Sequence, residues 1–186
     1  MKVFILCGGF GTRLDYEGKL KAKPMVKIGN KPILMYIIEN FCKQGFNEFI
    51  ILLGYRGYMI KEYFSTYLLR QSDLTFDLQT NQTTYHNTNS EPWKVTLIDT
   101  GFDTMTGGRM RKAKQYLNKE PFMLTYGDGV ANVDLDALLR FHKKAGRLAT
   151  LTGVRPLSRW GLVETDGQGG VTGFLEKPQV KDRINA

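Results

Sequence analysis

The sequence contains few of the residues from which metal clusters and disulfide frameworks are built. Its 186 residues include two cysteines and two histidines. Structural zinc sites and disulfide scaffolds need several such side chains at short spacings, so neither is expected here. Cys7 and Cys42 lie in apolar segments that are predicted to be buried, which favours reduced thiols in the core. His86 and His142 have no partner at metal-ligand spacing, so we expect them to be structural or exposed.

Long apolar runs are also missing. No stretch approaches the roughly 18 consecutive apolar residues of a membrane span, and the first residues do not follow the pattern of a secretory signal. We therefore expect a cytoplasmic protein that makes no use of a membrane. The length and the 42% of hydrophobic residues suit one domain, residues 1–186, with a sizeable core.

The excess of positive charge is not concentrated anywhere in the chain. The 26 lysines and arginines outnumber the 18 acidic residues, which gives a net charge of +8. Because they form no dense block and no regular helical stripe, we expect a solvated basic surface and no nucleic-acid partner. A small polyphosphate substrate would also be attracted by this excess. A polyanion-binding protein is a distant alternative, and its binding would weaken steeply with salt.

Buried-strand runs and helical spacings alternate along the chain. Strand runs cover residues 3–6, 49–53 and 122–126. After the first of them, Asn30 and Pro32 are predicted to begin a helix as N-cap and first-turn residues. Strand, helix, strand order favours parallel strands joined by right-handed crossovers. The predicted fold class is α/β: a three-layer, Rossmann-like, mixed and mostly parallel sheet with helices on both faces.

Local patterns predict the remaining elements. The polar residues 79–90 are predicted to form a long loop or an exposed hairpin. Asp134 is predicted to cap a helix that Gly146 ends. Further helices are predicted over residues 58–68 and 109–117, and further strands over residues 148–154, 162–164 and 171–175.

The glycine-rich stretch after the first strand matches neither of two common nucleotide-binding fingerprints. If Gly9 and Gly11 begin G-x-G-x-x-G, the third glycine is missing, and no G-x-x-x-x-G-K-[ST] string occurs. Glycines nevertheless let the backbone approach a ligand closely, and successive N–H groups in such a turn bind anions. Arg13 and, past a polar segment, Lys23 add positive charge suited to phosphate oxygens. We interpret the stretch as a phosphate cradle, with a purely structural turn as the alternative.

A carboxylate follows a later strand in the string Tyr126-Gly-Asp128-Gly. Ligands of open α/β sheets bind beyond the carboxyl ends of the strands, so Asp128 and the glycine-rich stretch are expected at one edge. A carboxylate that faces phosphates there is suited to hold Mg²⁺, which bridges phosphate oxygens. The alternative is an aspartate that only caps a turn.

Two other strings offer ligand contacts. Residues 104–109, T-M-T-G-G-R, open the predicted basic helix, whose free N–H groups favour an anion, and Arg109 can contact a phosphate or a base. In Glu176-Lys177-Pro178 the carboxylate can accept hydrogen bonds from sugar hydroxyls and the ammonium can hold a phosphate. Solvated surface charges are the alternative in both places.

Together these strings resemble the sugar-phosphate nucleotidylyltransferase family. G-G-x-G-T-R-L occupies residues 8–14, and Lys23-Pro24 follows. Glu91-Pro-Trp, the string M-T-G-G-R at residues 105–109 and F-M-L-T-Y-G-D-G at residues 122–129 are most similar to the cytidylyltransferase branch of that family. Similar strings run over nearly the whole chain.

The resemblance implies a Mg²⁺-dependent reaction of CTP with α-D-glucose 1-phosphate that gives CDP-glucose and pyrophosphate. It implies three catalytic residues: Arg13 at the leaving pyrophosphate, Lys23 at the α-phosphate and Asp128 as the metal ligand. The substrate-binding residues that it implies are Leu6, Gly8, Gly9, Gly11, Thr12, Arg13, Lys23, Thr104, Arg109, Asp128, Glu176 and Lys177. It also implies a homo-oligomer and a role in the O-antigen of bacterial lipopolysaccharide.

The chain departs from the family pattern in places. Residues 21–24 read Lys-Ala-Lys-Pro where Lys-Pro-Lys-Pro is common. Family members continue past the position of Ala186 and carry a second metal-binding carboxylate there. We therefore expect the chain to be C-terminally truncated and, by itself, weakly active or inactive. The alternatives are the same chemistry with another nucleotide or sugar phosphate, and a non-catalytic nucleotide-binding module.

Overall fold

The computed structural model describes residues 1–9, 21–87, 91–118 and 120–179, together with the backbone of residues 184–185. The chain divides into two compact units, Met1–Val130 and Ala131–Ala186. That the two act as one domain stays a prediction.

The first unit is built on a parallel sheet of four strands. The strands described in this unit are β1 (Val3–Cys7), β2 (Lys27–Ile28), β3 (Lys31–Pro32), β4 (Glu48–Leu53), β5 (Asp73–Asp77), β6 (Gln82–His86), β7 (Lys94–Asp99) and β8 (Met123–Tyr126). The central sheet has the order β7-β4-β1-β8, and each of its pairings is parallel. The predicted α/β class with a mostly parallel sheet is therefore confirmed.

Helices connect the parallel strands. They are α1 (Ile33–Cys42), α2 (Gly57–Ser65), α3 (Tyr67–Gln71) and α4 (Thr106–Lys112), with short 3-10 turns at Lys23–Met25 and Lys114–Tyr116. In the described parts of the chain, no helix has the length and apolar character needed to cross a membrane.

The start of α1 differs from the prediction. The N-cap is Pro32, so the prediction of Asn30 as N-cap is wrong. The reason is a tight antiparallel ribbon in which β2 pairs with β3, leaving Asn30 in the two-residue turn between them. Gly29, at φ +61°, makes that turn possible because it can adopt the left-handed conformation.

The segment predicted as a helix over residues 58–68 breaks at Thr66. Its hydroxyl donates to the Glu62 carbonyl at 2.9 Å, and such a bond competes with regular helical geometry. The polar segment that follows forms the exposed hairpin β5–β6, one of the two predicted forms, while residues 88–90 lie outside the described residues.

The core surrounds β1 and β4. Every residue of β1 is buried, and successive side chains point to opposite faces of the sheet. On one face Phe4, Leu6, Ile50 and Leu52 pack with Ala113, which directly follows α4. On the other face Gly57, at the start of α2, lies against Leu53. Helices therefore pack on both faces of the sheet, as predicted.

Strand β8 is less buried than predicted. It pairs with β1 on one side and ends the described sheet on the other. Leu124 and Tyr126 are 45% and 49% exposed, so the expectation of a fully buried strand is wrong for this element. An apolar run does not reveal whether a strand lies in the centre or at the edge of a sheet.

The second unit contains α5 (Leu135–Ala145), β9 (Gly153–Val154), β10 (Leu162–Thr165), β11 (Val171–Leu175) and β12 (Ile184–Asn185). The Asp134 carboxylate accepts from the Ala137 N–H at 2.8 Å, and Gly146 ends the helix in the left-handed conformation, as predicted. The strands predicted over residues 162–164 and 171–175 are present as β10 and β11, which pair antiparallel. The prediction of a strand over residues 148–154 is wrong except at β9. Among the described residues, only the two residues of β12 pair with this segment, and they pair with β9.

A close approach at Gly127 joins the end of β8 to the end of β1. The Gly127 N–H donates to the Leu6 carbonyl at 3.0 Å. A methyl group on Gly127 would collide with the Cys7 sulfur and would lie 3.0 Å from Pro24. The missing side chain therefore lets the segment after β8 lie directly against β1 and the turn at Lys23–Met25.

Gly127→Ala is expected to destabilise the first unit. The added methyl has no room between Cys7 and Pro24, and overpacking of this kind costs about 1–3 kcal/mol. Gly129→Ala is the matched control, because no described atom lies within 4 Å of the position of its Cβ. Denaturant unfolding monitored by circular dichroism measures both variants, and equal midpoints for the two would contradict the close approach.

Candidate active site

The carboxyl ends of β1 and β8 lie side by side. Leu6, 8% exposed, pairs in register with Tyr126, so the residues that follow each strand emerge at the same edge of the sheet. Gly8 and Gly9 follow β1, and Asp128 follows β8. The structure thus places the start of the glycine-rich stretch and the carboxylate at one edge, as the parallel topology requires.

Lys23 and Asp128 form an ion pair at this edge. The Lys23 Nζ lies 3.2 Å from Asp128 Oδ2, although the two residues are 105 positions apart in the sequence. Lys23 opens the 3-10 turn whose Pro24 faces Gly127, and this packing sets the lysine beside the carboxylate. The two side chains are 22% and 39% exposed, and ion pairs this accessible to water contribute about 0–1 kcal/mol. Either partner can therefore exchange to another ion at little cost.

The Arg109 side chain is buried at the ends of three strands. Its guanidinium makes five hydrogen bonds to groups on β4, after β1 and after β7. The acceptors are the carbonyl oxygens of Gly8 (2.9 Å), Leu53 (3.0 Å), Gly101 (2.8 Å) and Phe102 (3.2 Å) and the hydroxyl of Thr100 (2.6 Å).

These bonds offset the cost of burying a charge. Arg109 is 5% exposed, and desolvation lowers the pKa of its guanidinium, while the charge of Asp99 opposes that change. The group also fills the space beside Gly8 and Gly54, where a side chain on either residue would collide with it. In this structure Arg109 is a clamp between backbone segments; its predicted contact with a nucleotide stays a prediction.

Thr104 is half-buried, and its hydroxyl accepts from Lys112 Nζ at 3.2 Å. The sequence analysis did not identify Lys112 or Thr100. The buried hydroxyl of Thr100 donates to the Leu53 carbonyl and accepts from Arg109. A signal for Lys112 existed, since it stands three residues after Arg109 and so shares a face of α4.

The remaining predicted site residues are placed as follows. Gly11, Thr12 and Arg13 lie outside the described residues. Glu176 and Lys177 belong to the second unit, where both are exposed and their charged groups are 3.7 Å apart. Their predicted contact with the sugar phosphate stays a prediction.

Asp128 is suited to hold a divalent cation as one ligand of several. Its carboxylate already accepts a cationic group, the Lys23 ammonium, and carboxylate oxygen is a ligand that Mg²⁺ prefers. The described residues contain no group of three or more His, Cys, Asp or Glu that could hold a metal ion. Phosphate oxygens of a nucleotide and water would have to supply further ligands, which is usual for Mg²⁺ at phosphate sites.

Cys7 lies near Asp128, and its thiol is not activated. It is 1% exposed, and burial raises the pKa of its thiol; the nearby negative charge of Asp128 raises it further, and the Arg109 charge opposes this. Cys42 is half-buried, so the prediction of burial holds fully for Cys7 only. Because its thiolate is disfavoured, Cys7 is not suited to act as a nucleophile at this edge.

Arg109→Lys is expected to lower the free energy of unfolding. A lysine ammonium cannot reach acceptors that lie after β1, on β4 and after β7, and each buried acceptor left unpaired costs about 1–3 kcal/mol. Arg111→Lys, an exposed position on the same helix, is the control and should change stability by less than about 0.5 kcal/mol. Urea unfolding compares the two; a midpoint for Arg109→Lys equal to that of the control would refute the clamp.

Comparisons with known proteins agree with the geometry. A family model described as nucleotidyl transferase matches residues 2–185. The chain is 48% identical over 180 residues to a glucose-1-phosphate cytidylyltransferase of Salmonella typhi, covering 96% of this chain and 70% of that protein. It is 43% identical to a probable glucose-1-phosphate cytidylyltransferase of Bacillus subtilis, covering 100% of this chain and 72% of that protein.

A solved structure shares the architecture. The crystal structure of HddC from Yersinia pseudotuberculosis, complexed with GMP-PN, superposes with a TM-score of 0.61 at 25% identity and covers 96% of this chain and 70% of that one. The resemblance found in the sequence is thereby confirmed. The match over residues 2–185 and the 48% identity show that the chain belongs to the nucleotidyl transferase family.

Proposed function

We propose that this chain transfers a cytidylyl group from CTP to α-D-glucose 1-phosphate, giving CDP-glucose and pyrophosphate. The similarity to two glucose-1-phosphate cytidylyltransferases supports the choice of substrates. The observation that carries the chemistry is the pairing of Lys23 with Asp128 at 3.2 Å, at the sheet edge where Gly8 and Gly9 follow β1. A cation for phosphate and an anion for a metal stand together there.

The reaction is an in-line displacement. A phosphate oxygen of glucose 1-phosphate attacks the α-phosphorus of CTP and forms a new phosphorus–oxygen bond. The bond from that phosphorus to the bridging oxygen breaks, and pyrophosphate leaves with the electron pair. Because little proton transfer is needed, the protein contributes mainly positioning and neutralisation of charge.

Positioning and charge neutralisation are assigned to both partners of the ion pair and to the glycine-rich stretch. Lys23 would pair with the α-phosphate in place of Asp128, and Asp128 would hold Mg²⁺, whose charge would neutralise phosphate oxygens. Gly8 and Gly9 bring backbone close to the nucleotide. Arg13 is proposed to stabilise the leaving pyrophosphate, together with backbone and hydroxyl contacts from Gly11 and Thr12.

The wider setting is also part of the proposal. Glu176 and Lys177 meet the sugar phosphate, and Leu6, Thr104 and Arg109 belong to the nucleotide pocket. The enzyme works in the cytoplasm as a homo-oligomer, and its product is used to make the O-antigen of lipopolysaccharide. The resemblance of the sequence to the family supports these assignments.

A second candidate is nucleotidyl transfer from a purine nucleotide. It is favoured by the architecture shared with HddC, whose crystal structure holds GMP-PN. A non-catalytic nucleotide-binding module has less support, because Lys23 and Asp128 are both present and paired.

Pyrophosphate release distinguishes these candidates. CTP, UTP, GTP and ATP are each supplied with Mg²⁺ and glucose 1-phosphate, to the 186-residue chain and to a chain extended at its carboxyl end to the length of its relatives. We expect the extended chain to release pyrophosphate with CTP well above the other three nucleotides, and the 186-residue chain to release little or none. Release with GTP or ATP in preference to CTP, or none with CTP from the extended chain, would refute the assignment.

Asp128→Asn is expected to abolish metal-dependent release. The change keeps the size of the side chain and removes the charge that holds the metal, and loss of one such electrostatic contact costs about 100-fold or more in kcat. Asp136→Asn, an exposed acid at the start of α5, is the control. Near-normal release by Asp128→Asn would show that this residue does not hold the metal. Unchanged Mn²⁺ affinity of the variant in electron paramagnetic resonance titrations would show the same without relying on turnover.

A further inference from the structure

Lys112 reaches back from α4 to the segment that precedes this helix. Its ammonium donates to the Thr100 carbonyl at 2.9 Å and to the Thr104 hydroxyl at 3.2 Å. The residue itself is exposed by surface area, yet its charged group is directed at two acceptors four positions apart. Two bonds from one ammonium fix the distance between the beginning and the end of residues 100–104.

The backbone between these acceptors is shaped to admit the lysine. Gly101 has φ +87°, a conformation that other residues rarely adopt. A methyl group at this position would lie 3.0 Å from Lys112 Nζ and 3.1 Å from the Thr104 oxygen, so a larger residue would crowd the contact between them. Asp99 also stabilises the turn by accepting from the Gly101 N–H at 2.9 Å.

Arg109 completes the attachment of the same segment. It donates to the Thr100 hydroxyl and to the carbonyl oxygens of Gly101 and Phe102. Each of the three carbonyl oxygens from Thr100 to Phe102 therefore accepts from a basic side chain of α4. These bonds to Thr100, Gly101, Phe102 and Thr104 restrict the conformations of the segment, and such preorganisation lowers the entropic cost of binding.

The bond from Lys112 also sets the polarity of Thr104. A threonine hydroxyl has one hydrogen to donate and two lone pairs to accept with. Because the ammonium occupies a lone pair, the hydroxyl hydrogen remains to donate to a different group. Thr104 is thus presented as a hydrogen-bond donor, suited to the carbonyl oxygen or the unprotonated ring nitrogen of a cytosine base.

We propose that Lys112 is a positioning residue for nucleotide binding, acting through the hydroxyl of Thr104. The inference rests on the proposed function, in which Thr104 belongs to the CTP pocket. Lys112 does not touch the nucleotide; it holds the group that does.

Calorimetric titration with CTP and Mg²⁺, without sugar phosphate, tests this in a double-mutant cycle. Lys112→Met and Thr104→Val should each weaken CTP binding by about three- to tenfold, the range of one neutral hydrogen bond. The double variant should bind no more weakly than Thr104→Val alone, because Lys112 has no effect once the hydroxyl is gone. Lys112→Arg should restore affinity, since a guanidinium can donate to both acceptors.

Controls separate positioning from general effects. Lys114→Met removes the same charge two residues further on and should leave CTP affinity unchanged. Thermal unfolding of each variant measures stability independently of the ligand. Loss of stability by Lys112→Met with unchanged affinity would show a purely structural role and overturn the proposal.

Three further outcomes are decisive. If Lys112→Met weakens binding further in the Thr104→Val background, the lysine acts by its own contact with the nucleotide and the proposal is wrong. If the unsubstituted protein does not bind CTP, the proposed function fails and this inference fails with it. Binding of CTP by the unsubstituted protein with no effect of Lys112→Met overturns the inference alone.

Discussion

One buried guanidinium sets the geometry on which the candidate active site depends. Arg109 joins the carbonyl of Gly8 after β1, that of Leu53 at the end of β4 and those of the segment after β7. Parallel strands of a sheet end at the same edge, but nothing in the strands themselves holds the loops beyond them. The charge is tolerated in the interior because four carbonyl oxygens and the Thr100 hydroxyl accept hydrogen bonds from it. The glycines that face it leave the space it occupies.

The same edge carries a cation and an anion brought together by the sheet. Gly127 lets the end of β8 approach β1, and Pro24 packs against it, so that Lys23 and Asp128 meet. Without a ligand the two charges neutralise each other through a weak, partly exposed pair. A nucleotide with a divalent cation presents the complementary pair of charges. In the site we propose, Lys23 therefore pairs with a phosphate of the nucleotide and Asp128 with the metal ion, and the two no longer pair with each other.

Local patterns predicted the elements, and long-range pairing decided the site. Strands β1 and β4 and the helix ended by Gly146 were predicted because apolar runs and terminal glycines act over a few residues. The strand predicted over residues 148–154 was wrong for most of its length because an apolar run does not specify a partner strand. The clamp at Arg109 could not be read from the sequence, since its acceptors are mainly backbone carbonyls, which have no sequence signature. The meeting of Lys23 with Asp128, 105 positions apart, depends on the order of strands in the sheet.

We propose that a metal–nucleotide complex binds where β1 and β8 end. Residue-resolved amide NMR with Mn²⁺ added in the presence of CTP tests it most directly, because the ion broadens the signals of nearby residues. We expect the signals of Gly8, Gly9, Gly127 and Asp128 to broaden first, and this broadening to require both CTP and the Asp128 carboxylate. Broadening centred elsewhere in the chain, or unchanged by Asp128→Asn, would contradict it.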